Sequence, residues 1–146
     1  MFIVNVEGAI YKEDKWLVIR RSTMEEHGAG ELSLVGGKVD VGDPTFYILE
    51  ETIKREVFEE VGIQIADELQ VVFNSMFTAD DGVNVVNIVM LGEHREGEAY
   101  PKSSDEVDAV FWLTEEDILN NKEASPWLKE SIKKAVEAIR KQRLEV

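Results

Sequence analysis

The chain has 146 residues, 44% hydrophobic and 32% charged, with no cysteine. That composition fits one globular domain over residues 1–146 and excludes disulfides, thiolate metal sites and a cysteine nucleophile. The formal net charge of −14 excludes a broad nucleic-acid-binding surface, because neutralising phosphates takes clustered Lys and Arg; a phosphorylated small molecule would have to be met through bound cations.

Residues 2–11 and 15–21 read as two strands joined by a turn at Glu13-Asp14-Lys15. The opening run Met1 to Glu7 lacks the basic and long apolar parts of a secretory signal, and no apolar run approaches the ~20 residues of a membrane helix. A cytoplasmic location and no membrane partner are therefore expected. Gly28, Ala29 and Gly30 sit among polar residues, so 22–31 reads as a flexible loop. A short strand over Leu32–Val35 runs into Gly36-Gly37 and a second loop through Gly42.

Leu49, Ile53, Val57 and Val61 recur every fourth residue and predict a helix over about Pro44–Val61. Asp43 before Pro44 suits an N-cap with proline at the first helical position, and Gly62 suits the stop. Residues 69–78 and 83–92 read as strands joined by Ala79-Asp80-Asp81-Gly82, and 107–113 as another strand. Thr114 and Asp117 form a capping box for a short helix. A last amphipathic helix spans about Pro126–Gln142. Its apolar face (Trp127, Leu128, Ile132, Val136 and Ile139) is expected to pack on the domain, with a homodimer contact as the lesser option to a monomer. Phe73, Phe77, Phe111 and Trp112 are assigned to the core. His27 and His94 lack metal-ligand companions and read as surface or loop residues. The mix of elements is α+β, with a three-layer sandwich as the natural architecture.

On the middle helix, Arg55, Glu56, Glu59 and Glu60 fall on one face, and Glu56 lies three and four residues before the other two glutamates. Their carboxylates can converge, and like charges so close repel unless a cation sits among them. Such hard oxygen ligands suit Mg²⁺ or Mn²⁺. A Glu-rich helix face is also commonly just solvated, so spacing alone leaves both readings open.

The run Arg55-Glu56-Val57-Phe58-Glu59-Glu60-Val61-Gly62-Ile63 resembles the second half of the Nudix box, Arg-Glu-apolar-any-Glu-Glu-any-Gly-apolar, at all seven specified positions. Gly36-Gly37-Lys38-Val39-Asp40-Val41-Gly42-Asp43 resembles the glycine loop that opens it. The runs Leu17 to Arg21 and Asp105-Glu106-Val107 to Trp112-Leu113 resemble family segments outside the box, so the resemblance spans nearly the whole chain. Two features depart from the pattern. Asp43 stands where the family has Glu, and eleven residues separate it from Arg55 where the family has seven. The extra residues are close to one helical turn, so either the helix starts a turn early or residues 44–47 bulge as a loop. Asp43, Glu50 and Glu51 are then the candidate carboxylate partners of Arg55. Val35 also replaces a usual proline.

The resemblance implies an α/β/α sandwich with a mixed sheet and a catalytic loop-helix-loop, and metal-dependent hydrolysis of a pyrophosphate bond. Glu56, Glu59 and Glu60 would hold Mg²⁺ (or Mn²⁺), helped by the carbonyl of Gly37 or Gly36, and Arg55 would orient Glu56. Glu106 is the candidate for a general base or extra ligand from outside the box. Arg20, Arg21 and Lys38 are candidates for substrate phosphates. Markers of particular substrates are missing downstream, where Ala79, Asp80 and Asp81 stand. A nucleoside di- or triphosphate or a nucleotide sugar is the expected small-molecule partner. The competing reading is a catalytically silent domain that senses a nucleotide-like ligand.

Overall fold

The computed structural model describes residues 1–144. Two long strands, β1 (Phe2–Lys12) and β7 (Asn84–Glu96), run parallel at the centre of a mixed sheet, in register from Phe2 opposite Asn84 to Tyr11 opposite Glu93. The far edge of β7 is covered antiparallel by β6 (Gln70–Thr78) and, near its end, by the two-residue β5 (Gln64–Ile65). The other edge of β1 is divided. Asn5 to Gly8 pair with β4 (Val35–Lys38), whereas Tyr11 and Lys12 turn through a hairpin into β2 (Lys15–Arg21). Beyond β2 lie β8 (Val107–Thr114) and the short β3 (Leu32–Ser33).

Alternation along the strands builds a core on each face, as a two-residue side-chain period requires. Val6, Ile10, Leu17 and Ile19 point to one side, where they meet Ile53, Val57 and Val61 of α1 (Ile48–Val61). Ala9, Trp16, Val18 and Val89 point to the other, where they meet Ile118 of α2 (Glu115–Leu119) and Leu128, Ile132 and Ala135 of α3 (Pro126–Leu144). The result is the expected α+β sandwich, with helices on both faces of a mixed sheet. Among the described residues, no helix is long and apolar enough to cross a membrane.

Several local expectations hold. The Asp117 N–H donates to Thr114 Oγ1 at 3.1 Å and the Thr114 N–H to Asp117 Oδ2 at 3.3 Å, closing the capping box of α2. The β6–β7 turn closes with the Gly82 N–H donating to the Ala79 carbonyl and Gly82 at φ 85°. Gly62 ends α1 at φ 76°, its N–H donating to the Phe58 carbonyl.

Others are corrected. The strand expected at Leu32–Val35 breaks at Leu34, so Val35 starts a separate strand that leaves β2 and joins β1. The helix does not start at Pro44 and Asp43 is not its cap. The N-cap is Tyr47, in the left-handed conformation at φ 59°, ψ 39°, with no side-chain cap bond. That conformation turns the chain out of the helical path, so the four-residue excess bulges as a loop in which Val41 and Phe46 are exposed. Phe77, assigned to the core, is 45% exposed, and Trp127, placed on the packing face of the last helix, is 62% exposed. Phe73 and Phe111 pack on the α3-side core and Trp112 on the α1-side core, as expected.

Candidate metal centre

Burial of Ile53, Val57 and Val61 fixes the rotation of α1, and this turns Glu56 and Glu60 toward the strand β4 and the segment ahead of β8. Glu60 is buried, at 4% exposure, and Glu59 is exposed. The C-terminal carbonyls of α1 also dock the chain that carries Glu106. The Val61 carbonyl accepts from the Tyr100 N–H at 3.0 Å, and the Glu60 carbonyl from the N–H groups of Lys102 and Ser103 at 3.0 and 3.3 Å. Ser103 in turn accepts from the N–H of Glu106, whose own carbonyl takes the Ser22 N–H at 2.9 Å. Glu106 is thereby tied to both α1 and the end of β2.

The outcome is a three-carboxylate cluster: one oxygen each from Glu56, Glu60 and Glu106 lies within 4.8 Å of the others. Glu59 stays outside that set on the exposed side of the helix, although its charge still raises the pKa of Glu56. Burial is the main cause of that rise, and Arg55 opposes it. Glu60 is pushed up to about 9, first by burial, then by the charges of Glu106 and Glu56. Among the described residues, Glu60 Oε2 is buried and meets no hydrogen-bond donor. A buried carboxylate oxygen with no partner is costly. Only a shared proton or a cation relieves it, and hard oxygen donors this close fit a divalent ion.

Gly37 closes the cluster from the β4 side. A Cβ there would fall on the Glu56 carboxylate, 2.6 Å from Oε1 and 2.7 Å from Oε2. The absence of a side chain is what lets the carboxylate lie against the strand. Arg55 Nη2 stands 3.5 Å from Glu56 Oε1 and 3.2 Å from Asp40 Oδ2. Its second partner is therefore Asp40, rather than Asp43, Glu50 or Glu51, because the loop bulge carries Asp43 away while Asp40 lies only two residues past the end of β4.

A cavity of about 460 Å³ opens on the α3 side of the sheet, lined by Arg21 and Lys38 among others. The charge of Arg21 lowers the pKa of both Glu60 and Glu7, a cavity-lining residue, so this guanidinium links the cavity to the glutamate cluster. Arg20, its neighbour in β2, points elsewhere. Its guanidinium donates to the Gly30 carbonyl and to Glu123, both at 3.0 Å. His27 lines the cavity and holds Arg21 through its carbonyl, whereas the His94 ring bonds the Gly97 carbonyl at 2.6 Å. Sequence reasoning missed Glu7, Asn5 and Asn87 on the cavity floor; the one available signal was polar residues inside otherwise apolar strands.

A model of the NUDIX domain matches residues 1–135. The chain belongs to the Nudix family. Members of this family generally carry out metal-dependent pyrophosphate hydrolysis. No curated protein matches the sequence. Among solved structures, the Nudix fold here is similar to a MutT Nudix hydrolase from Burkholderia pseudomallei, at 24% identity and TM-score 0.77, covering 92% of this chain and 98% of that one. A MutT protein from Methanosarcina mazei matches at 24% identity and TM-score 0.76, covering 94% of each chain. An ADP-ribose pyrophosphatase from Streptococcus suis matches at 25% identity and TM-score 0.64, covering 94% and 92%.

Proposed function

We propose that this Nudix chain hydrolyses the pyrophosphate bond of a nucleoside diphosphate linked to another moiety, whether phosphate, sugar or nucleotide, with Mg²⁺ as its ion and Mn²⁺ as a substitute. The observation that carries this reading is the carboxylate trio with its unpartnered, buried Glu60 Oε2. Glu56 and Glu60 would hold the ion, Glu59 would add a carboxylate on the exposed side, and the Gly37 carbonyl would be the backbone ligand. When bound, the ion neutralises the diphosphate, lowers the pKa of a water and stabilises the departing phosphate.

The chain's own groups do the rest. Arg55, braced by Asp40, fixes the Glu56 carboxylate. Glu106, the exposed member of the trio, takes the proton as the water oxygen bonds to phosphorus. The bridging P–O bond breaks and its electrons leave with the departing phosphate. Arg21 and Lys38 bind phosphate oxygens from the cavity side. Arg20 is left out of this role, since it is not among the residues that line the cavity and its guanidinium is turned to Gly30 and Glu123.

The test is a phosphate-release screen over nucleotides, nucleotide sugars and dinucleotides with Mg²⁺ or Mn²⁺. Turnover should depend on the metal and fall by more than about 100-fold in Glu60→Gln or Glu59→Gln, beyond the loss typical of an outer-shell partner. Full activity in both variants would refute the metal assignment. Tight binding of one nucleotide without turnover of any would favour a sensor over an enzyme.

A further inference from the structure

Residues 100–106 cross the C-terminal end of α1 as a strap. Tyr100 packs its ring on Gly62, where a Cβ would fall 2.6 Å from Tyr100 Cε1. The glycine that stops the helix therefore also makes room for the strap. The Tyr100 N–H reaches the Val61 carbonyl, and the N–H groups of Lys102 and Ser103 reach that of Glu60. These are carbonyls that a helix end leaves without partners of its own. At Ser103 the chain turns, its carbonyl accepting from the N–H groups of Glu106 and Val107 at 3.0 and 2.9 Å, and enters β8.

The remaining hold is on a side chain. Lys102 extends its ammonium over the ring of Phe58, 3.7 Å from the centroid. Phe58 and Glu60 project about 200° apart around the helix, so the ring lies on the far side from the glutamate cluster. Among the described residues Lys102 forms no salt bridge, in a chain with 30 acidic residues. Nor does α1 supply a cation of its own, since its last turn has no basic residue and carries Glu59 and Glu60. A cation beside a helix C-terminus meets the negative end of the macrodipole, and the face of an aromatic ring attracts it too. Lys102 is thus held by the helix end and by the ring at once, on the opposite flank from Glu106.

We propose that Lys102 and Phe58 are positioning residues for Glu106: their contact anchors one side of the strap so that the other sets the Glu106 carboxylate against Glu60. Glu106 follows Lys102 by four residues, and the turn through Ser103 is closed by two hydrogen bonds, so a shift at one end is passed to the other. The Ser22 N–H ties the Glu106 backbone to β2, and the strap ties it to α1. A misplacement of about 1 Å at a reacting group costs on the order of 100-fold in rate, so a contact outside the cluster can govern turnover. The Nudix box accepts any residue at the place of Phe58, so the anchor belongs to this chain and not to the box. The inference rests on the reading of Glu106 as the proton acceptor in the proposed hydrolysis.

The test compares Phe58→Leu, Lys102→Met and their double variant with the conservative Phe58→Tyr and Lys102→Arg. Both side chains are exposed, so none of these changes threatens folding. Phe58→Leu and Lys102→Met should each lower kcat about tenfold, with KM and calorimetric Mn²⁺ affinity unchanged. The double variant should fall no further than the worse single, since all three remove one contact. Phe58→Tyr and Lys102→Arg keep a ring and a cation and should stay within about twofold of the parent. Hydrogen exchange read by mass spectrometry needs no catalysis: peptides covering 100–107 should exchange faster in the disruptive variants and at the parent's rate in the conservative ones. Unchanged kcat in both disruptive singles, multiplied losses in the double, or a rate lost in Lys102→Arg would overturn the assignment. So would a raised KM at parental kcat, which places Lys102 on the substrate, or a loss of Mn²⁺ affinity equal to the loss of kcat, which places the strap in the metal site. If the parent hydrolyses nothing, the hydrolase reading fails by itself. Exchange then decides for the strap: faster exchange at 100–107 keeps the Lys102–Phe58 anchor, and unchanged exchange removes it.

Discussion

Glu60 on α1 and Glu106 ahead of β8 bring carboxylate oxygens within 4.8 Å of each other, and the backbone that carries Glu106 is hydrogen-bonded to the carbonyl of Glu60 itself. Two acids forced together in this way favour a shared proton when no cation is present, and release it when one binds.

The pH dependence of stability should show this. The folded pKa of Glu60 is raised from 4.5 to about 9. Its protonated form therefore stabilises the fold fully below the unfolded value, and that contribution is lost as pH rises through the folded value. In a chelator, the melting temperature should fall between about pH 5 and pH 9, and Glu60→Gln should flatten the fall. With Mg²⁺ bound the fall should flatten, because metal binding needs ionised carboxylates, so the metal-induced rise in melting temperature grows with pH. An unchanged slope in Glu60→Gln would show that another group causes the dependence.

Glu106 and Glu60 should separate in their effects. Glu106→Gln is expected to lower kcat by about 10²–10⁴-fold, the range of general-base contributions, while metal affinity changes less than in Glu60→Gln. It should also lower the apparent pKa of Glu60, since the charge of Glu106 is the largest contribution after burial. Calorimetric titration with Mn²⁺ distinguishes the roles. Equal losses of affinity in the two variants would make Glu106 a ligand instead of a base.

Adjacent glycines should fail in different ways. A Cβ on Gly37 would strike the Glu56 carboxylate, a flexible side-chain end, so Gly37→Ala should displace Glu56 and reduce activity with little loss of stability. A Cβ on Gly36 would lie 2.9 Å from Glu7 Cα, a backbone atom that cannot step aside. Gly36→Ala should therefore cost about 1–3 kcal/mol through the β1–β4 pairing. Denaturant unfolding and a fixed-substrate assay on both variants check the contrast; matching effects on both readouts would contradict it.

Tyr47 holds a left-handed conformation at φ 59° and is 76% exposed. The strain is local and no core contact compensates for it. Tyr47→Gly should stabilise the protein by about 0.5–1 kcal/mol, the usual scale of relief at such positions, with metal-dependent turnover intact. A drop in melting temperature would mean that the ring makes a contact important to the loop.

Returning to the sequence, the stripe Leu49-Ile53-Val57-Val61 determined α1 and its buried face, and the spacing of Glu56, Glu59 and Glu60 determined which acids lie on the helix. Those are local facts, set by a periodicity of 3.6 residues and by a stop at Gly62. Alternation along β1 and β2 likewise carried the two-faced sheet. Tertiary structure decided what distance in the chain conceals. It set Glu106 in the cluster while Glu59 stayed outside, paired Arg55 with Asp40, and turned the residues before Ile48 into a bulge. It also brought Asn5, Asn87 and Ser75 into one row, through strand registers that no short-range pattern encodes. The sequence by itself determined the carboxylates; the pairing of strands and the docking of residues 100–106 on α1 decided which of them meet, and what faces them across the sheet.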